Sequence, residues 1–346
     1  MELGVTTFAE AYPDPVTGEP TPHGVRLRRV VEEIECAESV GLDVYGVGEH
    51  HRADFAASAP AVVLAAGAAR TSRIRLTSAV TVLSSDDPVR VFQDFATLDL
   101  LSDGRAEVMA GRGSFIESFP LFGLSLDDYD ELFAEKLELL LAIRDHERVT
   151  WSGRHRAALH DRGVYPRPES GPLPVWVGVG GNPESVVRAG TLGLPMALAI
   201  IGGRPDAFAP LADLHRRAVE QSGHAPVPIA VHAHGYVAAT SDRAAQEYYP
   251  SYAHAMSVIG RERGWGPMSR PAFDAMRSRL GSLVLGDPET VAAKILLLRE
   301  WLGIERFMLH ISVGTLPHDR VLESIRLLGT EVAPLVRAGT ASGGRS

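Results

Sequence analysis

The stretch Val44-Tyr45-Gly46-Val47-Gly48-Glu49-His50-His51-Arg52 joins a short apolar run to a cluster of polar, titratable residues. The apolar part is typical of a buried parallel strand, and the polar part follows directly at its carboxyl end. In an α/β barrel, catalytic groups lie at that end of the strands. Histidine changes protonation near neutral pH, so His50 is a candidate catalytic residue. The alternative is that these histidines are only polar caps of the strand.

Similar apolar runs recur along the chain and alternate with amphipathic, helix-like segments. This alternation indicates parallel βα units. Eight strands in series predict a closed (β/α)8 TIM barrel. A doubly wound sheet is the second choice, but no Gly-x-Gly-x-x-Gly follows the first strand, which disfavours a Rossmann dinucleotide site. The predicted strands are 3–8, 43–48, 74–80, 105–110, 174–179, 195–201, 228–237 and 305–311.

The predicted helices are 24–40, 60–71, 88–102, 127–146, 183–192, 205–222, 241–260, 288–302 and 317–337. They fit a single domain over residues 1–338, with an insertion on the barrel top after strand four, about 111–173. A proline-rich surface loop is expected at 13–22. Residues 261–285 are rich in glycine and proline and predict a mobile loop, or lid, before strand eight. The Gly- and Ser-rich tail 339–346 is expected to be disordered.

Composition restricts the classes of partner and compartment. The 346 residues are 45% hydrophobic, carry a formal net charge of −9 and contain one cysteine, Cys36. No lysine- or arginine-rich run occurs, so nucleic acid is not an expected partner. A single cysteine excludes an intrachain disulfide and a multi-cysteine metal site. The apolar stretch 59–69 is shorter than the ~20 residues that span a bilayer. We therefore expect a cytoplasmic protein that is not bound to a membrane.

Two glycine-containing stretches follow neighbouring predicted strands. Gly111-Arg112-Gly113 comes after strand four, and Gly178-Val179-Gly180-Gly181-Asn182-Pro183-Glu184-Ser185 joins strand five to a helix. Glycine lets the backbone approach a ligand, arginine suits phosphate, and the amides at a helix start bind anions. Each stretch alone is also compatible with an ordinary turn, and Asn182 is a good helix N-cap. Together they predict a phosphate cradle at the barrel mouth.

Two further stretches are less specific. Ser78-Ala79-Val80-Thr81 ends strand three with small residues against which a flat aromatic ligand could lie, or which could simply pack in the core. His232-x-His234 places two imidazoles on one face of strand seven, because strand side chains alternate. A metal pair is conceivable there, but pocket-lining histidines are the preferred interpretation, and no metal site is predicted.

With these stretches in view, the chain resembles the bacterial-luciferase-like flavin monooxygenase family, and within it the oxidoreductases rather than luciferase itself. The similarity covers roughly residues 1–335. The matching motifs are Gly48-Glu49-His50-His51, the segment 78–83 with Pro88-Val89-Arg90, Leu98-Asp99-x-x-Ser102-x-Gly104-Arg105, Gly111-Arg112-Gly113, the segment 178–185 and Gly193-Leu194-Pro195.

The resemblance implies a TIM barrel with FMN at the carboxyl ends of the strands, and a homodimer. It makes His50 the counterpart of the family's active-site histidine and Arg112 the arginine at the flavin phosphate. It places Ala79 and Val80 behind the flavin ring, often through a non-proline cis peptide. It places Gly180, Gly181 and Ser185 around the phosphate, and Gly113 and Val179 are the remaining expected cofactor-binding residues.

The sequence departs from luciferase at two points. Gly111 stands where luciferase has a reactive cysteine, and a second arginine is replaced near Tyr129-Asp130. Light emission is therefore not expected. The resemblance favours a monooxygenase that uses reduced FMN and O2 on a small organic substrate, with the reduced flavin supplied by a separate reductase. The alternatives are a deazaflavin-dependent hydride-transfer enzyme, a non-catalytic flavin-binding protein and a metal-dependent hydrolase that uses His232 and His234.

Overall fold

The computed structural model of the chain describes residues 1–13, 17–19, 21–113 and 115–342. Parts of the expected loop 13–22 and tail 339–346, namely 14–16, 20 and 343–346, lie outside the described residues. The strands are β1 Glu2–Thr7, β2 Val44–Val47, β3 Arg75–Ser78, β4 Thr81–Val82, β5 Ala106–Gly111, β6 Arg148–Trp151, β7 Leu159–Gly163, β8 Val175–Val179, β9 Met196–Ala199, β10 Ile229–Val237, β11 Val284–Gly286 and β12 Arg306–His310.

The helices surround these strands. They are α1 His23–Ser39, α2 Pro60–Ala68, α3 Pro88–Leu101, α4 Ser118–Leu121, α5 Tyr129–Asp145, α6 Pro183–Thr191, α7 Ala209–Gln221, α8 Ser241–Arg263, α9 Arg270–Met276, α10 Pro288–Leu302, α11 His318–Leu327 and α12 Ala333–Ser342. A π-helical turn, Leu328–Val332, joins the last two. Within the described ranges, no helix has the length and apolarity needed to cross a bilayer.

Eight parallel strands close into a barrel, which confirms the predicted TIM-barrel fold. The order around the barrel is β1, β2, β3, β5, β8, β9, β10 and β12. Closure comes from parallel pairing of β12 with β1, from Glu2 opposite Arg306 to Thr6 opposite His310. Side chains alternate along each strand, so that one set packs against the helices and the other fills the barrel. On β10, for example, Val231 and Ala233 join the outer core, whereas Ala230 packs inside the barrel.

Three helices begin with the same local device. Asp87-Pro88, Asn182-Pro183 and Asp287-Pro288 place a capping side chain before a proline in the first turn. The carboxylate or amide oxygen accepts hydrogen bonds from amides of that first turn, which have no partner within the helix. Proline at this position costs the helix no hydrogen bond, because the N–H that proline lacks would have no partner within the helix there. These caps fix where the helices start after the strand ends.

A buried ion pair fills the amino-terminal end of the barrel. The guanidinium of Arg306 donates to both carboxylate oxygens of Glu107, at 2.6 and 3.0 Å, and to Glu2 at 2.7 Å. Its Cζ lies 4.3 Å from the centre of the Trp176 ring, a cation–π contact. Burial alone would lower the pKa of Arg306, but its hydrogen bonds and attraction to Glu107 hold that pKa above the usual value. This end of the barrel is therefore closed by charged and aromatic side chains.

Several segments differ from the sequence prediction. The insertion contains an antiparallel hairpin, β6 and β7, that the polar, glycine-containing sequence did not reveal. The segment 261–285 includes α9, and its end is held by Lys294, whose Nζ donates to the carbonyls of Ser278 and Leu283. The expectation of disorder from residue 339 is wrong for 339–342, because α12 runs to Ser342. Mobility of the lid stays a prediction.

We predict that Glu107→Ala lowers the free energy of unfolding by about 3–5 kcal/mol, because it leaves the buried Arg306 charge without its main partner. Arg148→Ala is the control, since it breaks an exposed ion pair with Asp161 and such pairs contribute about 0–1 kcal/mol. Urea denaturation of both variants measures the difference. Equal losses in the two variants would show that the barrel end does not depend on this pair.

Candidate active site

The opposite, carboxyl-terminal end of the barrel is open and holds a cavity of about 670 Å³. Its floor consists of inward-facing residues such as Met109, Ala197 and Met308. Its walls come from loops after the strands, from α8 and from the segment 261–285, through Met256, Trp265 and other side chains. A volume of this size is in the usual range for a cofactor or small-molecule site.

Two glycines make room for Val80 beneath this cavity. A Cβ at Gly111 would lie 2.5 Å from Val80 Cγ2, and one at Gly178 would lie 2.7 Å from Val80 Cγ1. The peptide bond between Ala79 and Val80 is cis, as the resemblance implied. Real side chains do not approach so closely. The reactive cysteine that luciferase has at this point would therefore not fit at position 111 while Val80 occupies its present position. Ala79 and Val80 thus form a fixed wall of the cavity.

His50 lies in an aromatic environment at the cavity edge. Its imidazole stacks on Phe55 with ring centres 4.2 Å apart, and it makes edge contacts with Phe8 at 4.9 Å and Phe115 at 5.0 Å. Burial lowers the pKa of His50 to about 4, although the Glu10 carboxylate opposes this shift. The side chain is therefore neutral at pH 7, and it can offer one donor and one acceptor nitrogen.

Glu49 is engaged with His51 and not with His50. One of its carboxylate oxygens accepts from the Val82 amide at 2.8 Å, and the other lies 2.7 Å from His51 Nε2. This hydrogen bond raises the pKa of His51, although burial opposes it. Both carboxylate oxygens of Glu49 are therefore engaged away from His50. Instead, Glu49 ties the end of β2 to β4 and holds His51 at the rim.

Arg112 enters the cavity from the end of β5 and is held by the start of α5. Its guanidinium lies 2.5 Å from the Asp130 carboxylate, and its Cζ lies 5.1 Å from the centre of the Tyr129 ring. The Tyr129 hydroxyl donates to the carbonyl of Gly113. The Tyr129-Asp130 pair that replaces a luciferase arginine is thus in direct contact with the arginine that remains. Asp130 is exposed, so its side chain can leave Arg112 when an anion arrives.

The start of α6 is only partly available to an anion. Asn182 Oδ1 already accepts from the amides of Glu184, at 2.8 Å, and Ser185, at 3.2 Å. The capping interpretation of Asn182 is therefore correct. Ser185 nevertheless lines the cavity, and its buried Oγ has no hydrogen-bond partner among the described residues. Apart from its two chain neighbours, no described residue has an atom within 4 Å of the position that a Cβ would take at Gly180.

His232 and His234 do face the barrel interior, where they meet His310. The ring centres lie 5.3 Å apart for His232 and His310, and 4.9 Å apart for His234 and His310. Their nitrogens do not form a metal-binding set. Over the described ranges, Asp128, Glu131 and His155 in the insertion are the group with ligand atoms within 4.8 Å of one another. The metal-dependent hydrolase hypothesis therefore has no support in this cluster.

The structure brings most of the predicted site residues to one cavity. His50, Ala79, Val80, Arg112, Gly113, Val179, Gly180 and Ser185 all line it. Gly181 does not, although its φ of +110° suits the glycine at that turn. Sequence reasoning missed the apolar wall, in which five of the seven methionines take part: Met109, Met256, Met268, Met276 and Met308. The recurrence of methionine in segments that are far apart in the sequence was the signal that could have indicated this wall.

Residues 1–305 match the family model described as luciferase-like monooxygenase. The chain belongs to the luciferase-like monooxygenase family. This finding confirms the resemblance drawn from the motifs, and it extends over most of the barrel.

Curated relatives in and around this family carry out different reactions. An F420-dependent glucose-6-phosphate dehydrogenase from Kineococcus radiotolerans is 36% identical over 153 residues, 42% of this chain and 44% of the relative. An N-acetyl-S-alkylcysteine monooxygenase from Bacillus subtilis is 33% identical over 177 residues, 50% of this chain and 51% of the relative. The chain spans about half the length of the curated relatives it matches.

Solved luciferase-like structures share the whole fold. The monooxygenase RslO1 from Streptomyces bottropensis superposes with a TM-score of 0.81 at 24% identity, over 96% of this chain and 99% of that one. The oxygenating constituent of 3,6-diketocamphane monooxygenase from Pseudomonas putida, solved with FMN, gives 0.77 at 18% identity, over 96% and 98%.

We predict that Gly111→Ala lowers the free energy of unfolding by about 1–3 kcal/mol, because the added methyl overlaps Val80 and overpacks the barrel. Gly180→Ala is the matched control, since its methyl enters open space, and we expect a change within about 0.5 kcal/mol. Chemical denaturation provides the measurement. If Gly111→Ala is as stable as the wild type, Val80 is not confined by the two glycines.

Proposed function

We propose that this protein is an FMN-dependent oxidoreductase of the monooxygenase type, acting on a small organic substrate with O2. The observation that carries the proposal is the pairing of a flavin-sized cavity with one fixed cation. Arg112 is the single lysine or arginine among the described residues that line the cavity. One guanidinium matches the one phosphate of FMN, and Arg is suited to phosphate by its planar fork of donors.

The residues present fit a flavin phosphate. Arg112 would donate to it after release from Asp130, and the unpartnered Oγ of Ser185 would add a hydroxyl. The open space at Gly180 admits the phosphate close to the backbone. The cis Ala79–Val80 segment and the Val80 side chain would back the flavin ring from the floor. These contacts hold and orient the cofactor.

Bound reduced FMN would supply the two electrons for oxygen activation, so that one oxygen atom enters the substrate and the other leaves as water. The protein contributes the surroundings of this chemistry. Methionine and aromatic side chains exclude water from the cavity, and exclusion of water limits wasteful release of the oxidant. The neutral His50 imidazole would hydrogen-bond the reacting groups at the cavity edge, where Phe8, Phe55 and Phe115 fix its orientation.

The remaining expectations belong to the same proposal. Reduced flavin would come from a separate flavin reductase. The protein would act in the cytoplasm as a homodimer. The segment 261–285, which carries Trp265, Met268 and Met276, would act as the mobile lid over the cavity.

A deazaflavin-dependent hydride transfer is the second candidate function, favoured by the similarity to F420-dependent glucose-6-phosphate dehydrogenases. The charges in the cavity argue against it. F420 carries carboxylates in addition to its phosphate, whereas Glu49 and Glu117 line this cavity beside the lone Arg112. Absorbance titration of the protein with FMN and with F420 separates the two candidates, and tighter binding of F420 would reverse our choice.

We predict that Arg112→Ala weakens FMN binding roughly tenfold to a hundredfold and leaves riboflavin binding nearly unchanged. A hydrogen bond between charged groups contributes ~1.5–3 kcal/mol, and riboflavin lacks the phosphate that receives it. Asp130→Asn is the control, since it removes the competing carboxylate and should preserve FMN binding. Fluorescence titration with both flavins provides the measurement. Equal weakening of FMN and riboflavin by Arg112→Ala would refute the phosphate site.

We predict that His50→Ala lowers turnover by ~10²–10⁴ while flavin affinity stays close to that of the wild type, as expected for a group acting at the reaction. The wild-type rate should fall as the pH decreases toward about 4, the pKa of His50, because protonation removes its acceptor nitrogen. The variant should lose this pH dependence.

The measurement is reoxidation of the reduced flavin complex by O2 across this pH range. His51→Gln is the matched control, because the His51 imidazole is engaged by Glu49. A folded His50→Ala protein with unaltered kinetics would leave a flavin-binding protein without catalysis as the better interpretation.

A further inference from the structure

A second, smaller cavity of about 120 Å³ lies beside the main one. Five residues line both cavities: Phe8, Phe115, Ile201, Met256 and Trp265. Its other walls come from α8, through Ala255 and Ile259, and from the segment after β12, through Val313 and Gly314. An apolar cavity of about 150 Å³ in another protein holds benzene, and this cavity is slightly smaller but continues toward the main one through the shared residues.

Two of the polar side chains that interrupt the apolar lining have an unpaired atom. Tyr12 and His234 line the cavity and are 3% and 4% exposed. The Tyr12 hydroxyl and His234 Nδ1 have no hydrogen-bond partner among the described residues. Buried polar groups are nearly always paired, because leaving one unpaired is unfavourable. Two such atoms on side chains around one small cavity indicate that a ligand supplies the missing partner.

The charge at this cavity selects against an anion. Glu10 also lines it, and its carboxylate lies 2.7 Å from His310 Nε2 and accepts from Ser312 at 3.2 Å. Burial alone would raise the pKa of Glu10, but His310 holds it below the usual value, so the carboxylate is charged. Burial raises the pKa of Tyr12 and lowers that of His234 well below normal, so both side chains are neutral.

We infer that the second cavity is a substrate subsite for a neutral, ring-sized group that carries a hydroxyl, such as a phenol. The hydroxyl would pair with the Tyr12 oxygen and His234 Nδ1, and the ring would lie among Phe8, Phe55 and Phe115. The rest of the substrate would extend past the shared residues into the main cavity. This inference rests on the proposed function and adds the chemical class of the substrate. Phe55 lines the subsite and stacks on His50, so the bound ring lies next to the proposed reacting residue.

The test is a titration of the full chain, without flavin, with phenol, benzene and benzoate. Ligand-observed NMR monitors the binding. These probes share the ring and differ in the hydroxyl and the charge. Phenol should bind roughly tenfold more tightly than benzene, the effect of about one hydrogen bond, and benzoate should not compete with it. Tyr12→Phe should remove most of the preference for phenol and leave benzene binding unchanged. Equal affinities for phenol and benzene, or stronger binding of benzoate, would overturn the inference.

Substitutions that fill the second cavity test whether phenol binds there. Ala255 and Ile259 line the second cavity and not the main one, so Ala255→Leu or Ile259→Phe should abolish phenol binding. Ala199→Leu is the control, because Ala199 lines only the main cavity, and phenol binding should persist. Unchanged phenol binding in both filled variants would overturn the inference.

FMN titration of the same preparations separates this inference from the proposed function. Normal FMN binding without phenol binding by the wild type would refute the subsite alone. Phenol binding without FMN binding would refute the proposed function alone.

Discussion

The buried contact between Arg306 and Glu107 divides the barrel into a filled end and an open end. Charged and aromatic side chains occupy the amino-terminal half, where Arg306 also packs on Trp176. Because that half is solid, the other half can carry glycines and small residues on facing strands without loss of the fold. The cavity is therefore a consequence of how side-chain volume is distributed along the barrel axis. Stability is concentrated at one end and binding at the other.

The fold could be predicted from the sequence because its signals are local. Most barrel strands contain an apolar run, and helices α3, α6 and α10 begin with an Asp-Pro or Asn-Pro pair that is readable in the sequence. The hairpin β6–β7 was missed because its faces are mostly exposed and its sequence is polar. The helical continuation through residues 339–342 could not be predicted, because its glycine and serine composition is typical of disorder and the packing of α12 against α10 depends on the tertiary fold.

Only part of the candidate site has such local signals. His50, Arg112 and Ser185 directly follow strands or begin a helix, so their position at the barrel mouth could be inferred. The confinement of Val80 by Gly111 and Gly178 depends on the register of three strands and is invisible in any one of them. The contact between Arg112 and Asp130 is likewise not readable from the sequence, because it depends on the path of the insertion. The methionines of α8 and the lid reach the cavity only through tertiary packing.

The pairing of β1 with β12 has a consequence for how the molecule is made. Thr6 is hydrogen-bonded to His310, which ends β12, and Thr7 is hydrogen-bonded to Ser312, which follows β12. Glu10 is hydrogen-bonded to both His310 and Ser312. The partners in these contacts are about 300 residues apart in the sequence. Synthesis proceeds from the amino terminus, so β1 leaves the ribosome long before its second neighbour exists. Until then, one edge of β1 has unpaired amides and carbonyls, which is the kind of edge that attracts other strands. Contacts so distant in sequence also form slowly. In a nascent chain, this edge of β1 therefore stays without its native partner until β12 has been made.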